Sequence, residues 1–203
     1  IEALADVDVA LSVDTRKAEV AQAALDAGAE MVNDVSGLRD DPELARLVAE
    51  RGVPVVLMHM QGSPKTMQHR PHYSDTVADI LEVLRDRIRA AEDAGIAADR
   101  IIVDPGIGFG KTVDDNLRIL NATARFREEL GRPLLIGVSR KSFIGKVLGD
   151  EEEPLPVTER LVGTLACHAW AALAGADILR VHDVGETVQL LAMLEAIATV
   201  ERE

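Results

Sequence analysis

Polar side chains stand where several short apolar runs of this sequence stop. In a parallel βα protein such positions lie together at the C-terminal face of the sheet, around one pocket. A single polar residue after a strand can instead be a helix cap or part of a turn, but a whole set favours a pocket. The residues are Asp14, Asn33, Asp104, Lys141, Arg180 and His182.

The segment from Asp104 to Thr112 is rich in glycine but completes neither common phosphate loop. A Walker A loop needs a glycine where Pro105 stands, and a dinucleotide loop needs one at Lys111, so ATP and NAD are excluded as expected ligands. The segment offers a backbone that can approach a flat ligand, the aromatic face of Phe109 and the carboxylate of Asp104. It predicts a site for a flat polar molecule.

Two basic segments indicate an anion at the same face. Residues 137–142 place two hydroxyls and two cations directly after an apolar run, although a solvated basic turn would have the same composition. Arg180 and His182 lie on one side of the last strand if side chains alternate there. Together these two side chains could hold an anion such as diphosphate.

The remaining candidate residues give weaker signals. Met58, in a loop after a strand, suits packing against a flat ring, whereas His59 and Met60 could equally be filler. No zinc-ligand spacing relates the other histidines to one another or to the single cysteine, so no metal site is predicted from them. These residues are His69, His72, His168 and Cys167.

Short β-branched or apolar runs alternate with longer segments of helical period, which predicts an α/β fold with a parallel sheet. This spacing suits either a TIM barrel or an open doubly wound sheet. Capping residues predict helices from Pro42 to Gly52, from Ser74 or Asp75 to Gly95, and from Thr158 to Gly175. The predicted strands are Val9–Val13, Met31–Val35, Val53–Met58, Ile101–Val103, Leu134–Val138 and Ile178–Val181.

Composition limits the class of protein. With 203 residues, 47% of them hydrophobic, the chain is expected to form a single domain over residues 1–203. A net charge of −13 disfavours nucleic acid and anionic membranes as partners. Because the chain has one cysteine and no apolar run of about 20 residues, we expect a cytoplasmic protein that is not exported.

Six motifs, in their order and spacing, resemble dihydropteroate synthase over nearly the whole chain. The resemblance implies a TIM (β/α)8 barrel, here truncated to about six βα units that correspond to the C-terminal three quarters of the family fold. The family's N-terminal strands and catalytic loops have no counterpart before Asp14. The motifs are Ser12–Thr15, Asn33–Asp34, Leu57–Gly62, Asp104–Lys111, Ser139–Ser142 and Arg180–Asp183.

The resemblance implies a transferase of folate biosynthesis. Such an enzyme condenses 6-hydroxymethyl-7,8-dihydropterin diphosphate with para-aminobenzoate, giving 7,8-dihydropteroate and diphosphate. It also implies that Arg180 and His182 hold the diphosphate. The implied pterin-binding residues are Asp14, Asn33, Met58, Asp104, Phe109, Gly137 and Lys141, and the implied aminobenzoate-binding residues are Phe109, Ser139, Arg140 and Lys141.

Further expectations come from the same resemblance. Mg²⁺ is the expected cofactor, although the family's asparagine ligand lies in the segment without a counterpart here. A homodimer is expected through helices on the far side of the barrel, with Leu161–Leu173 as a contributor. Two alternatives stay open, namely an inactive fragment that still binds pterin and a pterin-binding methyltransferase domain acting with a corrinoid partner.

Overall fold

The structure is a computed structural model and describes residues 1–4, 7–62 and 71–200. Strands and helices alternate along it, as the apolar runs predict. The strands are β1 (Ser12–Asp14), β2 (Met31–Asp34), β3 (Val55–Met58), β4 (Ile101–Asp104), β5 (Leu135–Ile136) and β6 (Ile178–Leu179). The helices are α1 (Ala18–Asp26), α2 (Pro42–Arg51), α3 (Thr76–Asp93), α4 (Val113–Asn121), α5 (Thr123–Leu130), α6 (Ser142–Leu148), α7 (Leu161–Leu173) and α8 (Val184–Thr199).

The strands lie side by side in the order in which they occur in the sequence. Strands β1 to β4 form one parallel sheet, and β5 pairs in parallel with β6. A parallel bridge between Val103 and Leu134 joins β4 to β5. A doubly wound sheet reverses its strand order, whereas a βα barrel keeps it. The strand order therefore confirms the predicted barrel architecture, of which the described residues form six strands.

Local capping chemistry fixes the helix ends that lie near the strands. The Asp41 carboxylate caps α2 by accepting from the Glu43 amide (3.1 Å), and its other oxygen accepts from the Ala18 amide of α1 (2.7 Å). Asp75 caps α3, while Thr112 and Asp115 form a capping box on α4. These contacts confirm the starts predicted for α2 and α3.

The start predicted for α7 is wrong. Residues Val157–Glu159 form a 3₁₀ turn, closed by the Glu159 amide on the Pro156 carbonyl at 3.0 Å, and α7 begins only at Leu161. The hydroxyl of Thr158 had suggested an α-helical cap, but the i to i+3 bonding of the backbone decides the geometry here. The helix still ends just before Gly175, as predicted.

The core lies between the sheet and its surrounding helices. Every residue of β3 and β4 is buried, because both faces of these central strands are covered. Helix α3 contributes Ile80, Leu81 and Leu84 to the same cluster. The central strands are thereby held rigidly, with their C-terminal ends at one face. No helix within the described residues combines the length and apolar character needed to cross a bilayer.

Candidate active site

A cavity of about 70 Å³ opens where the C-terminal ends of the strands meet. Most of the predicted site residues, far apart in sequence, line this one space, as the convergence argument expects. Arg140 is the predicted residue that lies outside the lining. The lining residues are Asp14, Asn33, Val35, Met58, Asp104, Phe109, Gly137, Ser139, Lys141, Arg180 and His182.

The first four strands bring hydrogen-bond acceptors to the cavity. Asp104, the last residue of β4, is 8% exposed, and its Oδ1 accepts from the Gly106 amide at 2.7 Å. Burial raises the pKa of Asp104, while the positive charges of Lys141, Lys111 and Arg180 oppose that shift. Asn33 is 9% exposed and pairs in register with Asp14 of β1. This side of the cavity suits a ligand edge that carries N–H donors.

The Lys141 side chain crosses from the end of β5 to the glycine-rich loop, residues 106–110. Its Nζ donates to the Ile107 carbonyl at 2.7 Å and lies 4.0 Å from the centre of the Phe109 ring. Burial lowers the pKa of Lys141 to about 8, against the opposing effect of the Asp104 carboxylate. The ammonium group is thus held between an aromatic face and a backbone acceptor.

Arg180 and His182 close the opposite wall. The Arg180 guanidinium donates to Asp14 Oδ2 at 2.7 Å, so the end of β6 reaches the end of β1. The backbone amide of His182 donates to Ser139 Oγ at 3.2 Å, and its ring Nδ1 lies 2.9 Å from the same hydroxyl. Arg180 and His182 are both exposed, so the N–H donors of their side chains are accessible to an anion.

Arg140 has a different environment from the other predicted residues. Its backbone has φ +58°, its amide donates to Thr164 Oγ1 at 3.0 Å, and its guanidinium forms an ion pair with Asp183. The left-handed backbone turns the side chain toward α8 and out of the cavity lining. Its assignment to aminobenzoate binding stays a prediction.

Three residues without a predicted role lie at the cavity or next to the loop that borders it. Val35 lines the cavity, and alternation from Asn33 along β2 would have found it. Lys111 and His59, 4% and 5% exposed, form a buried pair in which Nζ and Nδ1 are 3.0 Å apart. Burial lowers the pKa of Lys111 to about 7 and, with the charge of Lys111, that of His59 to about 2. No local pattern marks such a pair.

Residues 1–4, 7–62 and 71–200 contain no group of three or more His, Cys, Asp or Glu side chains placed to hold a metal ion. His69 and the part of the Met58 loop from Ser63 to Thr66 lie outside these residues.

Known proteins resemble this chain in sequence and in fold. The family model for pterin binding enzymes matches residues 1–182. A dihydropteroate synthase from Synechocystis sp. is 42% identical over 192 residues, which are 95% of this chain. The chain spans 65% of the length of that relative.

Solved structures agree with the sequence comparison. The crystal structure of dihydropteroate synthase from Stenotrophomonas maltophilia has a TM-score of 0.93 and 44% identity, covering 99% of this chain and 74% of that one. Dihydropteroate synthase from Xanthomonas albilineans, solved in complex with 7,8-dihydropteroate, has a TM-score of 0.89 and 46% identity. That match covers 98% of this chain and 71% of the other.

Proposed function

The chain belongs to the family of pterin binding enzymes, and from that premise we propose that it acts as a dihydropteroate synthase of folate biosynthesis. The substrates would be 6-hydroxymethyl-7,8-dihydropterin diphosphate and para-aminobenzoate. The observation that carries the proposal is the single cavity in which a buried Asp104, Lys141 and the Arg180–His182 wall meet. These groups match a flat polar ring at one end and an anion at the other.

The acceptor side of the cavity would bind the pterin. A carboxylate such as Asp104 can accept two hydrogen bonds, one from the ring 2-amino group and one from the adjacent ring N–H. Asn33 and Asp14 would meet other ring edges, and Met58 would pack against the ring face. Because Asp104 is buried, its hydrogen bonds to the ligand would face little competition from water.

The side of the cavity that carries the hydrogen-bond donors would take part in the reaction itself. The bond between the pterin methylene carbon and the diphosphate oxygen breaks, leaving a cationic methylene stabilised by the electron-rich ring. The neutral arylamine nitrogen then bonds to that carbon and loses a proton. Arg180 and His182 would stabilise the departing anion, and Lys141, Ser139 and Phe109 would orient the arylamine.

We propose that Mg²⁺ assists the departure of diphosphate. A divalent cation would neutralise charge on the diphosphate oxygens. The described residues do not by themselves offer it a ligand cluster, so no step is assigned to it.

A homodimer in the cytoplasm is also proposed. Helix α7 exposes Val162 and Leu173, 78% and 72% accessible, and α8 exposes further apolar side chains, which supports a surface that a second copy covers. Light scattering on the purified chain would measure the mass and decide the oligomeric state. The single free Cys167 supports a cytoplasmic location.

The two alternatives have less support. Methyl transfer needs no diphosphate-binding wall, which speaks against a methyltransferase domain. A chain that binds pterin without turnover would keep the acceptor side of the cavity and lose catalysis. Measuring pterin binding and product formation separately distinguishes that outcome from an active synthase.

The proposal is tested by calorimetric titration with a pterin diphosphate analogue, comparing the wild type with Asp104→Asn. The substitution keeps the shape but puts an amide donor against ligand donors, so affinity should fall about 100-fold. Asp99→Asn is the matched control, because Asp99 is exposed in the turn directly before the N-terminal end of β4. Equal affinity of Asp104→Asn and wild type would contradict the proposed function.

A further inference from the structure

The buried amine of Lys111 contacts the backbone of the glycine-rich loop, residues 106–110. Its Nζ donates to the Phe109 carbonyl at 3.0 Å and lies 3.0 Å from His59 Nδ1. Lys111 does not line the cavity that holds the other site residues. The bond to Phe109 therefore acts on a ligand in that cavity through the loop, whereas the charge of Lys111 acts separately on Asp104.

Side chains from outside the loop bind its polar backbone groups in succession. Asp104 accepts from the Gly106 amide, and Asn116 accepts from the Gly108 amide at 2.7 Å. Lys141 donates to the Ile107 carbonyl, Lys111 to that of Phe109, and the Tyr73 hydroxyl to that of Gly110 at 2.8 Å. Asp104, Lys111 and Asn116 lie within eight residues of the groups they bind, whereas Lys141 and Tyr73 are 34 and 37 residues away from theirs. The conformation of the loop therefore depends on both local and long-range contacts.

Phe109 is the one loop residue whose side chain lines the cavity. Lys141 contacts its ring, whereas Lys111 contacts its backbone carbonyl. Because Lys111 is buried, water does not compete for its N–H donor, which strengthens this hydrogen bond. The Lys111 bond therefore restrains the peptide group that follows Phe109, and with it the backbone from which the ring projects.

We propose that Lys111 is a positioning residue that orients Phe109 against the aminobenzoate ring. This inference rests on the proposed function, which places Phe109 beside that substrate. In the proposed function the pterin also contacts Asp104, Asn33 and Met58, so loss of the Lys111 bond should weaken aminobenzoate binding more than pterin binding. If Lys111 served only to pair with His59, its loss would not weaken aminobenzoate binding more than pterin binding.

The test is titration of para-aminobenzoate into the full chain saturated with a pterin analogue and inorganic diphosphate. Lys111→Met removes the donor and should weaken aminobenzoate binding about tenfold, while affinity for the pterin analogue changes less than about threefold. His59→Phe is the matched control, because it removes the other partner of Lys111 and leaves the bond to Phe109. It should keep aminobenzoate affinity within about threefold.

Three outcomes overturn the inference. Unchanged aminobenzoate affinity in Lys111→Met, with a wild type that binds both ligands, overturns it while leaving the proposed function intact. Equal losses of aminobenzoate affinity in Lys111→Met and His59→Phe also overturn the inference and leave the proposed function intact. They would indicate that only the buried Lys111–His59 pair matters. A wild type that binds neither ligand overturns the proposed function and the inference together.

A measurement without substrates tests the contact directly. Phe109–Gly110 is the one Phe-Gly pair in the sequence, so labelling Phe carbonyls with ¹³C and Gly amides with ¹⁵N gives a single cross-peak that reports the Phe109 carbonyl. The carbonyl signal should shift in Lys111→Met and stay close to wild type in His59→Phe. If Lys111→Met does not fold, Lys111→Leu, which also has no donor, takes its place with the same expectation. An unshifted signal overturns the inference.

Discussion

The four-strand sheet, β1 to β4, and the two-strand pair, β5 and β6, border the same cavity with opposite chemistry. The four-strand sheet contributes the acceptors Asn33 and Asp104, both buried at the ends of well-packed strands. The two-strand pair is followed by Lys141, Arg180 and His182, of which Arg180 and His182 are exposed. Rigid acceptors suit recognition of a ring, whereas exposed N–H donors suit an anion that must leave.

The largest effect is expected from a substitution of Gly106, in the loop that follows β4 of the four-strand sheet. This residue has φ +68°, and a Cβ there would overlap the His59 carbonyl oxygen and lie 3.3 Å from Met58 Cγ. Gly106→Ala should lower the free energy of unfolding by about 3 kcal/mol and pterin affinity by more than about 100-fold. Chemical denaturation and calorimetry measure the two quantities.

Gly131→Ala separates backbone strain from the steric overlap. Gly131 has φ +58° at the end of α5, and a Cβ there would meet nothing within 4 Å. This control should lose about 1 kcal/mol of stability and none of the pterin affinity. If Gly106→Ala behaved like Gly131→Ala, the close packing of the loop on the end of β3 would not matter for the site.

An intermediate effect is expected on the cationic side. Arg180→Ala should weaken binding of the pterin diphosphate about tenfold, because a charged hydrogen-bond donor to the anion is lost. Binding of a pterin without diphosphate should change less than about threefold, since the Arg180–Asp14 ion pair is half exposed and contributes little. Equal losses for the two ligands would contradict the division of roles between the two halves.

The smallest effect is a dependence on pH. Burial favours the neutral amine of Lys141 and brings its pKa to about 8, so the ammonium is present below that pH and is lost above it. Because the family resemblance also makes Lys141 a pterin-binding residue, pterin diphosphate affinity should fall a few-fold as pH rises from about 7 to about 9. Lys141→Arg keeps its charge over this range and should give a flatter profile. The same slope in both proteins would assign the dependence to another group.

Much of the site could be predicted from one sequence because each strand end is a local signal. An apolar run that stops at Asp14, Asn33 or Asp104 marks the C-terminal end of a parallel strand, and all such ends share one face. Lys111 had no comparable signal. Its partner His59 is 52 residues away, and only packing of the β3 end on the glycine-rich loop brings the two together.

The sequence by itself determined the presence of the six strands, both ends of α2 and α3 and the types of functional group at the cavity, because period and capping depend on residues a few positions apart. The tertiary structure decided the consecutive strand order, the turn of Arg140 toward Asp183 and the contact of Arg180 with Asp14, 166 residues away. These features depend on which strands pair and on the direction that each side chain takes once they do. No local pattern carries that information, since pairing is settled by burial across the whole sheet.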